Sequence, residues 1–267
     1  MTGQGSAPGE DTGGRPARRQ AEMADVVIGH GSVSAAELAK TFRVSLMTVH
    51  RDLDELERQG VVRKHRGGAS AQPSSVFESN VAYRKSVARR EKQALAEYAR
   101  QLVEPGMAVM LDDSTTVLEV VRLLPQVGPL TVATNFLEAI GLLTRMERVR
   151  LLALGGQYHP THDSFLGVPC IEAVEGLHPD LLLTSTSAVS ATHAFHQEQE
   201  IVLVKRAMMR AAHRSVLLVD HGKFQRSALH RLAPLSEFDL VVTDERTPEE
   251  DVRALREHGA RVEIAPV

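Results

Sequence analysis

Cysteine is nearly missing: Cys170 is the single one in 267 residues. That excludes an internal disulfide and fits a reducing compartment. Its apolar neighbours Val168, Pro169 and Ile171 mark it as a small buried hydrophobe rather than a nucleophile. An excess of positive charge is also missing. Lys and Arg number 31 against 34 Asp and Glu, a formal net charge of −3. Bulk charge therefore names no polyanionic partner, and any nucleic-acid site must come from local clustering. No apolar run approaches the roughly 20 residues of a membrane helix, and the polar N-terminus lacks the hydrophobic segment of a secretion signal. Internal repeats are absent. The chain is expected to be soluble and cytoplasmic, with no membrane partner.

What is present is enough apolar material, 43% of residues, for two domains. Residues 1–16 are rich in Gly, Ser, Thr and Pro and are expected to be a disordered tail. Residues 17–70 read as three helical segments followed by a short basic β-like tail. Residues 71–84, with the polar stretch ASAQPSS over 69–75, read as a linker. From residue 85 to 267 a helical segment leads into alternating strands and helices. The strand candidates are 109–111, 130–133, 149–154, 180–184, 215–219, 239–243 and 261–264, most of them unbroken apolar runs. Such runs belong to strands buried on both faces of a parallel sheet. Helical stretches at 116–124, 136–144 and 199–212 lie between them. The expected fold is an α/β domain with a mostly parallel, Rossmann-like sheet, preceded by a small helical module.

The small module carries sharp local signals. Ser34 followed by Glu37 is a capping box, and Leu38 and Phe42 share one face of the helix it starts. After a turn at Arg43–Val44, Ser45 is a second N-cap candidate. Val49, Leu53 and Leu56 then recur on one stripe, and Gly60 provides the left-handed stop. Two short capped helices joined by a tight turn form a helix-turn-helix. The following VVRKHRGG over 61–68 alternates apolar and basic residues, as a two-stranded wing with a glycine tip would. The candidate DNA-contacting residues are Ser34, Ser45, Met47, Thr48, His50 and Arg51, with Arg63, Lys64 and Arg66 from the wing. Arginine and histidine can donate to guanine, hydroxyls can hold phosphates, and methionine can pack on a thymine methyl. Asp52, Asp54, Glu55 and Glu57 must turn away from such a surface, because phosphates would repel them.

In the larger domain, hydroxyls cluster where a strand hands over to a helix in VMLDDSTTVLE over 109–119. Ser114, Thr115 and Thr116 there are candidate anion ligands beside helix-start amides. Thr134–Asn135, Gly155–Gly156, Asp220 and Lys223 stand at other strand ends, where ligands of open α/β sheets gather. The basic stretch RKSVARREK over 84–92 reads as the solvated face of a long connecting helix, with Val87, Leu95 and Tyr98 on its apolar side. That helix is a natural place for dimer contacts and for relaying the state of the larger domain. His159, His162 and Asp163, and His193 with His196, have spacings that zinc accepts. With no cysteine cluster to join them they are read as solvated or ligand-contacting, with no metal and no cofactor.

The motif VSxxTVxRDL over 44–53, then LExxG over 56–60 and RxHRGGA over 63–69, resembles the DNA-binding signature of DeoR/GlpR-type bacterial transcriptional regulators. His50–Arg51 stands where that family commonly has two arginines. The likeness continues through 112–116, 134–135, 155–156, the segment 193–208 around a glutamate, and the aspartate-x-x-lysine-phenylalanine of 220–224. Asp113 stands at the usual glycine position, and 184–190 lacks the glycines common there. The resemblance implies a winged helix-turn-helix with a sensor fold similar to ribose phosphate isomerase. It further implies operator DNA and a phosphorylated sugar as partners, a repressor of carbohydrate genes, and a homo-oligomer, dimer or tetramer. It adds Asp112 and Glu200 to the effector candidates. The alternative is an isomerase-like enzyme using Asp112, Glu200 and Lys223 as carboxylate base and charge stabiliser; the attached DNA-reading module favours sensing without turnover.

Overall fold

The computed structural model describes residues 14–72, 79–224 and 226–267. The chain divides into two compact units, Met1–Gln72 and Pro73–Val267. The expected tail lies outside the described residues except for its last three, which already belong to a helix.

The first unit runs α1 (Gly14–His30), β1 (Ser32–Ser34), α2 (Ala35–Phe42), α3 (Leu46–Arg58), β2 (Val62–His65) and β3 (Gly68–Ala71). Both caps foreseen from sequence are formed. Ser34 Oγ accepts from the Glu37 amide at 3.2 Å while Glu37 Oε2 accepts from the Ser34 amide at 3.0 Å, and Ser45 Oγ accepts from the Thr48 amide at 3.1 Å. Arg43 takes the left-handed conformation that ends α2, and Gly60 takes it beyond α3. Met23, Leu38, Val49, Leu53 and Leu56 are fully buried where the three helices meet. At about 1.5–3 kcal/mol each, these side chains hold a module too small for a larger core.

The wing differs from expectation. It is a three-stranded antiparallel sheet of order β1-β3-β2, because the three residues before α2 extend and pair with β3. Only Gly67 of the two glycines belongs to the tip, with φ +93. A Cβ on Gly68 would collide with the backbone of Val33 and Ser34, so that glycine is required by the close approach of β1.

The second unit opens with α4 (Val81–Ser86) and α5 (Arg89–Arg100). The expected long helix is therefore broken, with Val87 extended and Ala88 left-handed between the two halves, and residues 81–84 are helix rather than linker. Then come β4 (Ala108–Leu111), α6 (Thr115–Leu123), β5 (Leu130–Thr134), α7 (Leu137–Leu143), β6 (Val149–Ala153), β7 (Gln157–His159), β8 (Ser164–Leu166) and α8 (Val168–Glu175). The chain ends with β9 (Leu181–Thr184), β10 (Ala188–Val189), β11 (His193–His196), α9 (Gln199–Ala211), β12 (Ser215–Val219), β13 (His230–Pro234), β14 (Leu240–Asp244), α10 (Glu249–Glu257) and β15 (Val262–Ala265).

All seven apolar runs expected as strands join one sheet of order β15-β14-β12-β9-β4-β5-β6, every pair parallel. Alternate side chains enter two different cores, which is why the runs are apolar throughout. Val109, Leu111, Leu183, Val216 and Leu218 pack under α5, α6 and α7. Met110, Leu182, Leu217, Val219 and Val241 pack under α8, α9 and α10. Cys170 is fully buried in the second core, and burial raises its thiol to about 11, leaving no thiolate at neutral pH. The hairpin β7-β8 and the small sheet β10-β11-β13 were not foreseen. The chain builds β4, β5 and β6 outward in one direction and β9, β12, β14 and β15 in the other. The sheet therefore has its switch point between β4 and β9, where such folds open a crevice at the strand ends.

Candidate functional site

The carboxylates of α3 are engaged in local contacts, with Asp54 and Glu57 still exposed. Asp52 is buried and accepts from Arg19 Nε at 2.6 Å, Arg19 Nη2 at 3.1 Å and Gln20 Nε2 at 2.9 Å. Asp54 pairs with Lys64 Nζ. Glu55 accepts from Arg58 and Gln59, and Glu57 accepts from the Lys64 amide at 2.8 Å. Arg51, Arg63 and Arg66 remain exposed, together with Met47 at 75% and its neighbour Leu46 at 51%. Of the other residues singled out from sequence, Ser34, Ser45 and Thr48 spend their side chains on caps. His50 is half-buried, and Lys64 is neutralised by Asp54. The resulting surface is an arginine-bearing helix and wing with two apolar side chains at the helix start. Leu46 was overlooked because one leucine at a helix start carries no sequence signal.

In the second unit a narrow cleft, with about 20 Å³ of free space, opens at the switch point. It is lined by Asp113, Ser114, Thr115 and Thr116 after β4, Ser185, Thr186 and Ser187 after β9, and Arg84, His196, Lys205 and Lys223. The loop after β4 leads into α6, whose N-cap Ser114 accepts from the Val117 amide at 3.1 Å. Hydroxyls, helix-start amides and cations thus converge on one small volume, the chemistry of an anion site.

Beneath it lies a buried charge cluster that sequence reading missed. Asp112 accepts from the Ser114 amide at 3.0 Å, Thr184 Oγ1 at 2.6 Å, the Ser185 amide at 2.8 Å and Lys205 Nζ. Lys205 also lies 3.4 Å from Asp113, which accepts from Ser164 Oγ at 2.9 Å. Burial would raise the Asp113 carboxyl, but Lys205, the largest opposing cause, and Arg84 outweigh it and hold the group below its ordinary range. Burial likewise opposes the charge on Lys205, and Asp112 and Asp113 more than restore it, raising the ammonium above its usual value. Lys92 of α5 donates to Thr115 Oγ1 at 3.1 Å, and burial presses its ammonium down to about 7. Asp220 is lowered, because Lys223 and Lys92 outweigh its burial. Lysines inside helical repeats are ordinarily surface residues, so nothing in the sequence separates Lys92 and Lys205 from the rest.

The effector candidates divide accordingly. Ser114, Thr115, Thr116 and Lys223 line the cleft. Asp112 and Asp220 are buried at its edge, Asp112 with three donors on Oδ2 and one on Oδ1. Thr134 accepts from the Phe136 amide at 3.2 Å and Asn135 donates to the Phe165 carbonyl at 2.9 Å, so both tie β5 to its own surroundings rather than lining the cleft. Gly156 leaves no room for a Cβ against the Leu166 carbonyl; it and Gly155 do not line the cleft. Glu200 is exposed. The glutamate that turns inward is Glu198, 2.9 Å from His162 Nε2 and 3.7 Å from His159 Nε2. The hydrogen bond from His162, the larger cause, and the charges of His159 and His196 hold its carboxyl low. Asp163 turns instead to the Tyr158 hydroxyl at 2.9 Å. His193 packs on Phe195 whereas His196 packs on His162, so the two histidines of that pair serve different neighbours.

Two family descriptions match the chain. Residues 87–245 match the DeoR C terminal sensor domain and residues 19–75 the DeoR-like helix-turn-helix domain. A putative aga operon transcriptional repressor of Escherichia coli O157:H7 is 31% identical, covering 87% of this chain and 87% of its own. The glycerol-3-phosphate regulon repressor of Escherichia coli K12 is 28% identical over 92% of this chain and 98% of its own. Among solved structures, a D-ribose-5-phosphate isomerase in complex with phospho-erythronic acid overlaps 51% of this chain and 54% of its own, at 13% identity and a TM-score of 0.39. That overlap is too partial to add to what the strand order itself establishes. Among the described residues no helix is long and apolar enough to cross a membrane.

Proposed function

Because the chain belongs to the DeoR family of transcriptional regulators, we propose that it is a cytoplasmic repressor of carbohydrate genes whose operator affinity is set by a phosphorylated sugar. The observation that carries this reading is the cleft at the β4–β9 switch point, where Ser114–Thr116 offer donors and Arg84 and Lys223 positive charge to a phosphate. The carbohydrate assignment is supported by two relatives, a putative repressor of an aga operon and the repressor of the glycerol-3-phosphate regulon. Binding without turnover is supported by Asp112, which is 1% exposed and tied down by Lys205 and three further donors, and by the exposure of Glu200; a general base must reach the proton it abstracts. A symmetric homo-oligomer would present two α3 helices to the half-sites of an operator.

Two measurements test the reading together. A panel of sugar phosphates should raise the melting temperature of the full chain through one member at least, by RT ln(1 + [L]/Kd). The same member should change affinity for a duplex selected from a random pool. A flat panel, or a chain that ignores duplexes at low ionic strength, ends the proposal.

The DNA-reading surface yields two quantitative expectations. Arg51→Ala should weaken the selected duplex by about 1–3 kcal/mol and relax preference at one position, measured by anisotropy against single-base variants. Unaltered preference would take Arg51 off the bases. Arg66→Ala should lower the slope of log K against log salt by about one. Lys64→Ala should lower it by clearly less, because Asp54 already neutralises Lys64. Equal slopes for the two variants would mean that DNA breaks the Lys64–Asp54 pair.

A further inference from the structure

Arg84 and Lys92 belong to the basic stretch assigned from sequence to a solvated helix face, and both instead turn toward the cleft. Arg84 of α4 is half-buried. Its Nε donates to the Ser79 carbonyl at 3.1 Å and its Nη2 to His162 Nδ1 at 3.2 Å, and the side chain lines the cleft. Lys92 holds the same residue by its backbone, donating to the Arg84 carbonyl while also donating to Thr115 in the cleft loop.

His162 is 1% exposed and sits between His159 and His196, at ring-centroid distances of 5.0 and 5.9 Å. A guanidinium can only donate, so His162 Nδ1 must accept and the ring proton sits on Nε2, facing Glu198 at 2.9 Å. His159, His162 and Glu198 do bring ligand-type atoms within 4.8 Å of one another. The tautomer that Arg84 selects removes the Nε2 lone pair a metal would need. What the cluster does offer is a neutral, buried acceptor that positions a cation at the edge of an anion site.

We propose that Arg84 is the residue through which occupancy of the cleft by a phosphate ester is passed to α4, the first described helix after the DNA-reading unit. This rests on the phosphate reading of the cleft. Without ligand, the guanidinium is held by His162, which Glu198 holds in turn. A phosphate outcompetes a neutral imidazole, since its negative charge adds Coulombic attraction and it can take two arms of the guanidinium fork at once. The guanidinium moves its donors to the ligand and α4 follows. The His162–Glu198 pair sets how firmly the ligand-free state is kept, and so the concentration at which the switch operates.

The test uses the full chain, a duplex selected by the wild-type protein from a random pool, and inorganic phosphate with hexose, pentose and glycerol monophosphates as probes. Titration calorimetry reads binding and anisotropy reads the duplex response. Arg84→Gln should bind the active probe about ten- to hundredfold more weakly. At saturating probe its duplex affinity should stay within about twofold of the ligand-free value. Arg84→Lys keeps the charge but not the fork, and should bind the probe better than Arg84→Gln while still failing to respond. His162→Gln can accept from Arg84 and donate to Glu198, and should respond normally; His162→Phe cannot hold Arg84 and should respond at a clearly lower probe concentration, even if the Arg84 variants fail to fold. A saturated Arg84→Gln protein that responds like wild type, or a His162→Phe protein that does, overturns the inference alone. Wild-type protein that binds no probe overturns the phosphate reading beneath it.

Discussion

Replacement of Lys205 by methionine is expected to destabilise the second unit by about 3–5 kcal/mol at neutral pH, the cost of stranding buried carboxylates that have lost their counter-charge. Lys205 is 3% exposed, and Asp112 and Asp113 are 1% and 4% exposed, so water cannot take its place. Methionine fills similar volume, which separates lost charge from lost packing. The pH dependence follows from the direction of the shifts. Asp113 is depressed in the folded chain, so its contribution is present above the unfolded carboxylate value near ~4 and disappears as pH falls through the folded value. Lys205 is raised, so its contribution is present below the unfolded lysine value near ~10.4 and disappears as pH rises through the folded one. The cluster is at full strength between those limits. Urea unfolding of wild type and Lys205→Met should diverge most near pH 7 and converge toward acid, where the variant's carboxyls become protonated. A deficit under about 1 kcal/mol at pH 7 would show that the cleft floor does not depend on this pairing.

The second large effect lies in the DNA-reading unit. Asp52→Ala should cost about 2–3 kcal/mol of local stability, less than a fully buried pair. Its principal partner Arg19 keeps a quarter of its side-chain surface in water and can be resolvated. Asp52 joins α3 to α1 through three hydrogen bonds, and α1 supplies Met23, Ala24 and Val27 to the core. Hydrogen exchange suits the measurement because it reports on this unit separately from the other. Amides of α1 and α3 should exchange about 30- to 150-fold faster in the variant, while those of β4 and β9 stay unchanged. Exchange in α1 at the wild-type rate would mean that the apolar face alone docks it.

Local chemistry was legible where one stretch of chain contains its own answer. The Ser34 capping box, the Ser45 cap, the Arg43 turn, the Gly60 stop and the seven strands of the parallel sheet all depend on neighbours within a few residues or on a largely apolar run. The partners of α3's carboxylates, Arg19 and Gln20 for Asp52 and Lys64 for Asp54, were not legible, because they come from other elements. Elements too short for a periodic signal escaped: β1 was absorbed into the approach to α2, and the hairpin β7-β8 was not seen. The broken helix at Val87–Ala88 also escaped, because neither residue is a helix breaker by type.

The effector candidates show the same division. Ser114, Thr115, Thr116 and Lys223 were found because their loops end or follow strands and carry the right donors. Glu198 was not singled out, since nothing within 198–200 says which carboxylate turns inward; His162 decides it across the fold. Lys92, Lys205 and Arg84 looked like ordinary basic residues of amphipathic helices.

From residue order alone came the two-module plan, the capped reading helix, the cationic wing and the parallel sheet, since periodicity and capping are properties of contiguous chain. Tertiary structure alone decided which charges are buried together, which glutamate meets the histidines, and that the cleft opens between β4 and β9. Those depend on segments distant in sequence being brought within hydrogen-bond reach, where loss of water turns an ordinary lysine or arginine into the determinant of a site.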